Sequence, residues 1–208
     1  MDSSLLPAFV RGFALSASLI VSIGAQNMFV LRQGLKREHV LPIVVFCAAA
    51  DASLIIAGVN GLGAMLALIP GLAFALSIAG AAFLCWYGVA ALRRAGHASA
   101  MVVENAGGLS LGGALAGTAA FTFLNPHVYI DTVMLMGAVG SSLPDLQRPY
   151  FIVGASLFGV LWFTALGYGA RLLVPIFARP LAWRVLDSFT GLMMFAIAAV
   201  LLLGAGQP

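Results

Sequence analysis

Long apolar runs separated by short polar segments account for most of the chain. A helix needs about 20 predominantly apolar residues to cross a membrane, and six runs have about that length: residues 12–31, 40–63, 71–92, 109–138, 149–172 and 185–203. The pattern predicts an all-α integral membrane protein, with six transmembrane helices in a single domain over residues 1–208. Because the segment 64–70 carries no charge and ends in a Pro-Gly turn signal, the alternative is five spans, with one connection or terminus failing to cross.

Composition favours a membrane protein over a soluble one. Of the 208 residues, 62% are hydrophobic and 8% are charged, whereas about a quarter of the residues in a soluble domain are charged. The net charge of +3 is small and does not indicate a nucleic-acid partner. Cys47 and Cys85 lie in apolar runs, where free thiols behave as small hydrophobes. We therefore expect no disulfide framework, no metal and no other cofactor.

The basic residues are distributed unevenly between the two sides of the predicted bundle. Arg11 and Arg148 lie on one side, and the other eight lie in or beside the first, third and fifth connections. Because positive charge favours the cytoplasmic side, those three connections are predicted to be cytoplasmic and both termini outside. The eight residues are Arg32, Lys36, Arg37, Arg93, Arg94, Arg171, Arg179 and Arg184.

Two halves of the chain, residues 12–92 and 109–203, resemble each other. Gly12 and Gly113 each begin a span with small residues, and twelve residues later Gly24-Ala-Gln-Asn corresponds to Asn125-Pro-His-Val. Three spans per half is an odd number, so the halves would have opposite orientations. The pattern therefore predicts two inverted three-helix repeats with interrupted helices 1 and 4, as in many secondary transporters.

The first predicted interruption comprises Gly24, Ala25, Gln26 and Asn27. Glycine loosens a helix, and the two carboxamides offer donors and acceptors at a depth where lipid offers none. Gly24, Gln26 and Asn27 are therefore candidates for binding a polar solute. The alternative is that the two amides only join neighbouring helices, as polar residues in spans often do.

The second predicted interruption is at Asn125-Pro126, within the run 109–138. Proline breaks or kinks a helix, while asparagine is a good N-cap and proline suits the first helical position. The pair is predicted to begin a half-helix whose unpaired N–H groups and positive dipole end point into the bundle and bind a carboxylate. A proline kink without a ligand is the alternative.

Asp131 follows His127 by four residues and so lies on the same face of that half-helix. An aspartate in hydrocarbon is costly unless it is paired, solvated or protonated, so its presence predicts a cavity. An amphipathic ligand would place its carboxylate at the helix end and a cationic group near Asp131. The spacing would also suit two ligands of a divalent metal, but two ligands make a poor metal site.

Asp51 is predicted to lie close to the middle of the bilayer. It comes about 12 residues after the start of its helix, which is about 18 Å along the axis. No basic residue is predicted to share the hydrocarbon region, so Asp51 has no evident ion-pair partner and is a candidate for binding and releasing a proton. Capping a neighbouring broken helix is the alternative role.

At these residues the chain resembles the lysine exporter (LysE) family, and in particular its lysine/arginine exporter branch. The resemblance covers essentially the whole chain, and its most specific block runs from Asn125 to Asp131. The family usually has proline where this sequence has Ala25, so the first interruption depends on Gly24. The similar segments are residues 22–37, 47–58, 82–88, 124–132 and 156–163.

The resemblance implies export of basic amino acids across the bacterial inner membrane, driven by the proton-motive force. We therefore predict a secondary transporter for arginine and/or lysine, in which Asp51 couples transport to protons and Asp131 sets the preference for a basic side chain. Export of neutral amino acids or small metabolites is the alternative. A divalent-metal exporter using His127 and Asp131 is a weaker one.

Two further expectations concern catalysis and assembly. No nucleophile is paired with a base in the sequence, so an enzyme is not expected. The small-residue motif Gly108-x-x-x-Gly112 favours close helix approach, either within a subunit or between the subunits of a homodimer.

Overall fold

The structure is a computed structural model that describes residues 5–21, 24–62, 71–96, 108–177 and 179–205. The regular secondary structure within those ranges is helical. The π-helical segments Gly58–Leu62 and Tyr129–Leu135 and the 3₁₀ segment Ala170–Leu173 continue the helices before them. The α-helices, in chain order, are α1 (Leu5–Ile20), α2 (Ala25–Lys36), α3 (Val40–Ala57), α4 (Leu72–Gly96), α5 (Leu111–Phe123), α6 (Pro126–Val128), α7 (Met136–Ser141), α8 (Arg148–Gly169), α9 (Val174–Phe177) and α10 (Pro180–Ala205).

Most of these helices suit a membrane. Helices α1 and α2, bent by 83° at the break between them, form a fifth candidate span beside four continuous ones. Helix α5 is apolar but has only 13 residues. The prediction of an all-α membrane protein is confirmed, six spans stay a prediction, and the segment 64–70 lies outside the described residues. The four continuous candidates are Val40–Leu62, Phe74–Gly96, Arg148–Phe177 and Pro180–Leu203.

The helices of the first predicted span extend beyond its bounds. Helix α1 already begins at Leu5, and α2 continues to Lys36 instead of ending at residue 31. Arg32, expected in a connection, is therefore helical. The physical reason is packing, because Gly34 in this polar turn lies directly against the backbone of Gly167 in α8.

Two pairs of helices pack on each other more extensively than any others. Gly12 in α1 lies against the backbone of Phe151, and Gly154 in α8 lies against the backbone of Phe9, so a side chain at either glycine would overlap a carbonyl group. Helix α3 also packs along α8, while α4 and α10 pack extensively on each other. Helices α1, α3 and α8 thus form one side of the bundle, and the α4–α10 pair forms the other.

The helix ends that flank the first, third and fifth connections lie together at one end of the bundle. The ring Nε2 of His39, before α3, hydrogen-bonds the carbonyl of Leu109, before α5, at 2.8 Å. Arg94, near the end of α4, contacts Asp187, near the start of α10. We call this the basic end, because the eight basic residues named above lie in or beside these connections.

Candidate functional site

The two helix breaks and the two predicted acids line one cavity. Its volume is about 410 Å³, within the range of roughly 300–1,000 Å³ typical of small-molecule sites. Pro126 is buried at the start of the segment 126–141, which we call the half-helix. The other seven predicted site residues line the cavity wall: Gly24, Gln26, Asn27, Asp51, Asn125, His127 and Asp131.

The first break is held together by the side chain of Asn27. Helix α1 ends at Ile20, and α2 begins after Gly24, whose backbone is extended (φ −124°, ψ 167°). Asn27 Nδ2 donates to the carbonyl of Ile20 at 2.8 Å, and its Oδ1 accepts from Trp162 Nε1 at 3.3 Å. The predicted interruption is therefore present, although position 25 is alanine. Asn27 joins neighbouring helices, which was the alternative to binding a solute.

The second break has the predicted N-cap. Helix α5 ends at Phe123, and Asn125 Oδ1 accepts from the backbone N–H of His127 at 3.1 Å, with Pro126 at the first helical position. Tyr129 bridges this break, because its hydroxyl donates to the carbonyl of Phe123 at 3.0 Å. Each break is therefore closed by a side chain that reaches back to a carbonyl of the preceding helix.

The unpaired N–H groups expected at the start of the half-helix are not found. The N–H of His127 donates to Asn125 Oδ1, that of Val128 to the carbonyl of Asn125, and that of Tyr129 to the carbonyl of Pro126. The expectation was wrong because the N-cap and the tight first turn use these donors internally. Asn125 still lines the cavity.

Asp131 lies in a π-helical segment, Tyr129–Leu135, that the sequence pattern did not predict. Such segments are rare and frequently occur at functional sites. Asp131, His127 and Thr132 all line the cavity. The prediction that Asp131 and His127 share one face of an α-helix stays a prediction, because the helix between them is not α-helical throughout.

Asp51 lies on α3, where that helix faces α8. A methyl group added at Gly159 of α8 would be 2.6 Å from Asp51 Oδ2, so the carboxylate occupies space that only a glycine leaves open. Oδ2 is buried and has no hydrogen-bond partner among the residues that the structure describes. One turn earlier, the thiol of Cys47 also lines the cavity and is hydrogen-bonded by the side chain of Gln26.

The cavity is acidic in character. Its described lining includes two aspartates and His127 but neither lysine nor arginine. No ion pair of Asp51 or Asp131 is present within the described ranges. No group of three or more histidine, cysteine, aspartate or glutamate side chains is arranged to hold a metal ion in that part of the chain. The cavity therefore presents carboxylate and amide groups to a space that is large enough for a small solute.

A third acid inside the bundle was missed. Asp187 is only 4% exposed and forms an ion pair with Arg32, with Arg94 Nε also 3.4 Å from its Oδ1. Arg32, which was expected in a connection, is therefore largely buried at the end of the bundle, and the absence of basic residues from the hydrocarbon region stays a prediction. The available signal was the position of Asp187, the third residue of the predicted run 185–203.

The fold and the cavity define a helical membrane protein with an acid-lined, solute-sized chamber between broken helices, an arrangement used by secondary transporters. Residues 17–205 match the family model LysE type translocator. The chain therefore belongs to the LysE family, and the resemblance inferred from its motifs is confirmed.

The names of two relatives agree with this assignment. The chain is 45% identical over 185 residues to the protein named "Putative amino-acid transporter Mb0498" of Mycobacterium bovis, which covers 89% of this chain and 92% of the relative. It is 40% identical over 198 residues to "Putative amino-acid transporter YggA" of Aeromonas salmonicida, which covers 94% of this chain and 96% of the relative. No solved structure matches the chain.

Proposed function

We propose that this protein exports basic L-amino acids, arginine and/or lysine, from the cytoplasm in exchange for protons. The observation that carries the proposal is the presence of Asp51 and Asp131 in one cavity whose described lining contains no lysine or arginine. A low-dielectric site of one charge sign attracts a solute of the opposite sign. Membership of the LysE family and the names of its relatives support an amino acid as that solute.

The order of the helices supports six crossings arranged as two inverted repeats. The first repeat would be α1 with α2, then α3 and α4; the second would be α5 with the half-helix, then α8 and α10. Each repeat begins with a broken helix whose break lines the cavity. Positive charge favours the cytoplasmic side, so we assign the basic end to the cytoplasm of a bacterial cell and both termini to the outside of the inner membrane.

The cavity offers a binding group for each part of an amphipathic cation. The carboxylate of Asp131 would pair with the guanidinium or ammonium group of the substrate, since charge-assisted hydrogen bonds are stronger than neutral ones. Because the first N–H groups of the half-helix are already bonded, we assign the α-carboxylate to the side-chain amides of Asn125 and Gln26, which line the same cavity.

Asp51 would carry the proton in the opposite direction. A cation leaving a cell that is negative inside climbs the membrane potential, at about 2.3 kcal/mol per charge per 100 mV. Exchange for one inward proton cancels that cost. The carboxylate of Asp51 is buried in the cavity without a described partner. It is suited to take up a proton when the cationic substrate leaves, because protonation avoids a buried negative charge without a compensating positive one.

Counterflow in proteoliposomes tests the proposed substrate. Vesicles loaded with unlabelled arginine are expected to take up labelled arginine and lysine from outside, and labelled threonine or leucine only weakly. The physical reason is that a neutral side chain leaves Asp131 without its cationic partner. Counterflow of leucine or threonine at the rate of arginine would contradict the proposal and favour a neutral amino-acid exporter.

Substitution of Gly159 tests the placement of Asp51. The methyl group of Gly159→Ala would lie 2.6 Å from Asp51 Oδ2 and so displace the carboxylate. We expect arginine export to fall roughly 10- to 100-fold, since small displacements of a functional group have effects of this size. Gly169→Ala, in the same helix, is the matched control, because its methyl group would meet nothing within 4 Å outside that helix. Normal export by Gly159→Ala would show that the position of Asp51 against α8 does not matter.

A further inference from the structure

Helices α4 and α10 contact each other more extensively than either contacts the rest of the bundle. A methyl group at Gly88 of α4 would lie 3.3 Å from the carbonyl oxygen of Gly191 in α10, and one at Gly191 would lie 3.1 Å from that of Gly88. By contrast, α10 makes only sparse contact with α2, and so does α4 with α6. The pair therefore has the character of a single rigid unit beside the other helices.

The cavity lies between this unit and the other helices. Residues of α4 and α10, among them Gly80, Phe83 and Ile197, form one wall. The two helix breaks and the two cavity acids, Asp51 and Asp131, belong to the other group of helices. A movement of the α4–α10 pair relative to that group would therefore change access to the cavity. The pair touches the second break at Gly80, which lies against the carbonyl group of Leu124, so the movement proposed below is at the other end, away from that contact.

A layer of aromatic rings separates the cavity from the basic end. Phe121 is in contact with Phe29 and Tyr87, with ring centroids 5.2 Å and 4.8 Å apart. All three side chains are buried. We call these residues the aromatic layer. Because α2, α4 and α5 each contribute one ring, the layer closes only while the α4–α10 pair rests against the other helices.

Beyond the aromatic layer, an ion pair joins the two groups of helices. Asp187 of α10 pairs with Arg32 of α2 and contacts Arg94 of α4. The side chains of Arg32 and Asp187 are only 11% and 6% exposed. The guanidinium of Arg32 also lies over the ring of Trp183, 5.7 Å from its centroid. We call Arg32, Arg94 and Asp187 the charged cluster. Along α4, Arg94 is ten residues beyond the cavity residue Leu84, about 15 Å away.

A charged contact suits a surface that has to separate. A buried ion pair adds little net stability, because desolvating the charges offsets their attraction. Apolar packing at the same place would resist exposure to water, whereas released charges become hydrated. Two arginines against one aspartate also leave an excess positive charge, which favours hydration of the separated state. The cluster thus has the properties of a contact with two accessible arrangements.

We propose that the charged cluster is the gate at the basic end of the cavity. It closes the cavity when Asp187 is bound to Arg32, and it opens when the α4–α10 pair moves away from α2 and the aromatic layer parts. The statement that this opening admits the amino acid from the cytoplasm rests on the proposed function. The gating itself does not depend on which solute is carried.

Cys47 provides a native reporter for this gate. The protein has two cysteines, so Cys85→Ala leaves Cys47 alone, buried on the cavity wall. The reagent is a membrane-impermeant methanethiosulfonate with a trimethylammonium group, applied separately to each side of membrane vesicles. The side that carries the basic end is identified with Arg184→Cys in a protein without the native cysteines, because Arg184 is exposed near the start of α10.

In this background we expect Arg32→Gln and Asp187→Asn to speed labelling of Cys47 from the basic end at least about tenfold, the effect of losing one charge-assisted hydrogen bond from the closed state. Labelling from the opposite side should not change. Arg184→Gln, an exposed arginine one turn from Asp187, is the matched control and should label like its parent. Asp187→Asn removes the same contact from the other partner, so it decides the test if Arg32→Gln does not fold.

Unchanged labelling in a folded Arg32→Gln or Asp187→Asn protein would overturn the proposal. Equal acceleration from both sides would also overturn it, because that result would mean general loosening of the bundle. The measurement needs no amino acid. Failure of the gate therefore leaves the proposed substrate untouched, and failure of arginine counterflow leaves the gate untouched.

Discussion

Replacing Asp51 with asparagine is expected to yield a folded membrane protein that no longer exports arginine against the membrane potential. Asparagine has the same shape as aspartate, and a neutral amide costs less to bury than a carboxylate without a partner, so the fold should be retained. The variant cannot take up the returning proton. Arginine would then be held inside by about 2.3 kcal/mol per 100 mV, which is about a 50-fold concentration ratio.

The measurement for Asp51→Asn is the steady-state ratio of internal to external arginine in energised cells, normalised to the amount of protein in the membrane. Asp145→Asn is the matched control, because the side chain of Asp145 is 92% exposed in a connection and should not affect the ratio. Export by Asp51→Asn at the level of the unchanged protein would remove Asp51 from the mechanism.

Replacing Asp131 with asparagine is expected to weaken transport of basic amino acids far more than that of neutral ones. A hydrogen bond to a charged group contributes about 1.5–3 kcal/mol, so affinity for arginine and lysine should fall roughly 10- to 100-fold. A neutral amino acid makes no such contact with the carboxylate. The preference for arginine over leucine should therefore shrink by a similar factor.

The assay for Asp131→Asn is competition, in which unlabelled arginine, lysine or leucine reduces the initial rate of labelled arginine counterflow. His127→Asn provides a comparison, because it alters the same cavity wall without removing a carboxylate, and it should affect arginine and leucine to similar degrees. An equal loss for arginine and leucine in Asp131→Asn would refute the role of Asp131 in selectivity.

The residue types at the second helix break made that break predictable. Asn125-Pro126 carries both a helix-breaking signal and a helix-starting signal, and the structure shows the predicted N-cap. The first break was predictable from Gly24 and the two amides, even with alanine in place of the family's proline. Likewise, polar groups in long apolar runs indicated a cavity, because lipid cannot satisfy them.

Features that depend on packing between distant segments could not be predicted. The sequence offers no periodicity that would place Asp131 in a π-helical turn. The first N–H groups of the half-helix donate to its own N-cap and first turn, and the pattern of residue types does not specify that backbone geometry. Arg32 was assigned to a connection because charge ends an apolar run, whereas its partner Asp187, 155 residues away, holds it inside the bundle.

The central claim is that a cationic amino acid and a proton pass through one cavity served by both acids. Its most direct test is uptake of labelled arginine into inside-out membrane vesicles with an imposed pH gradient, acidic in the lumen. Arginine should accumulate, release protons from the lumen as it enters, and stop accumulating when the gradient is collapsed. Equal uptake with and without the gradient, or accumulation of leucine but not arginine, would contradict the claim.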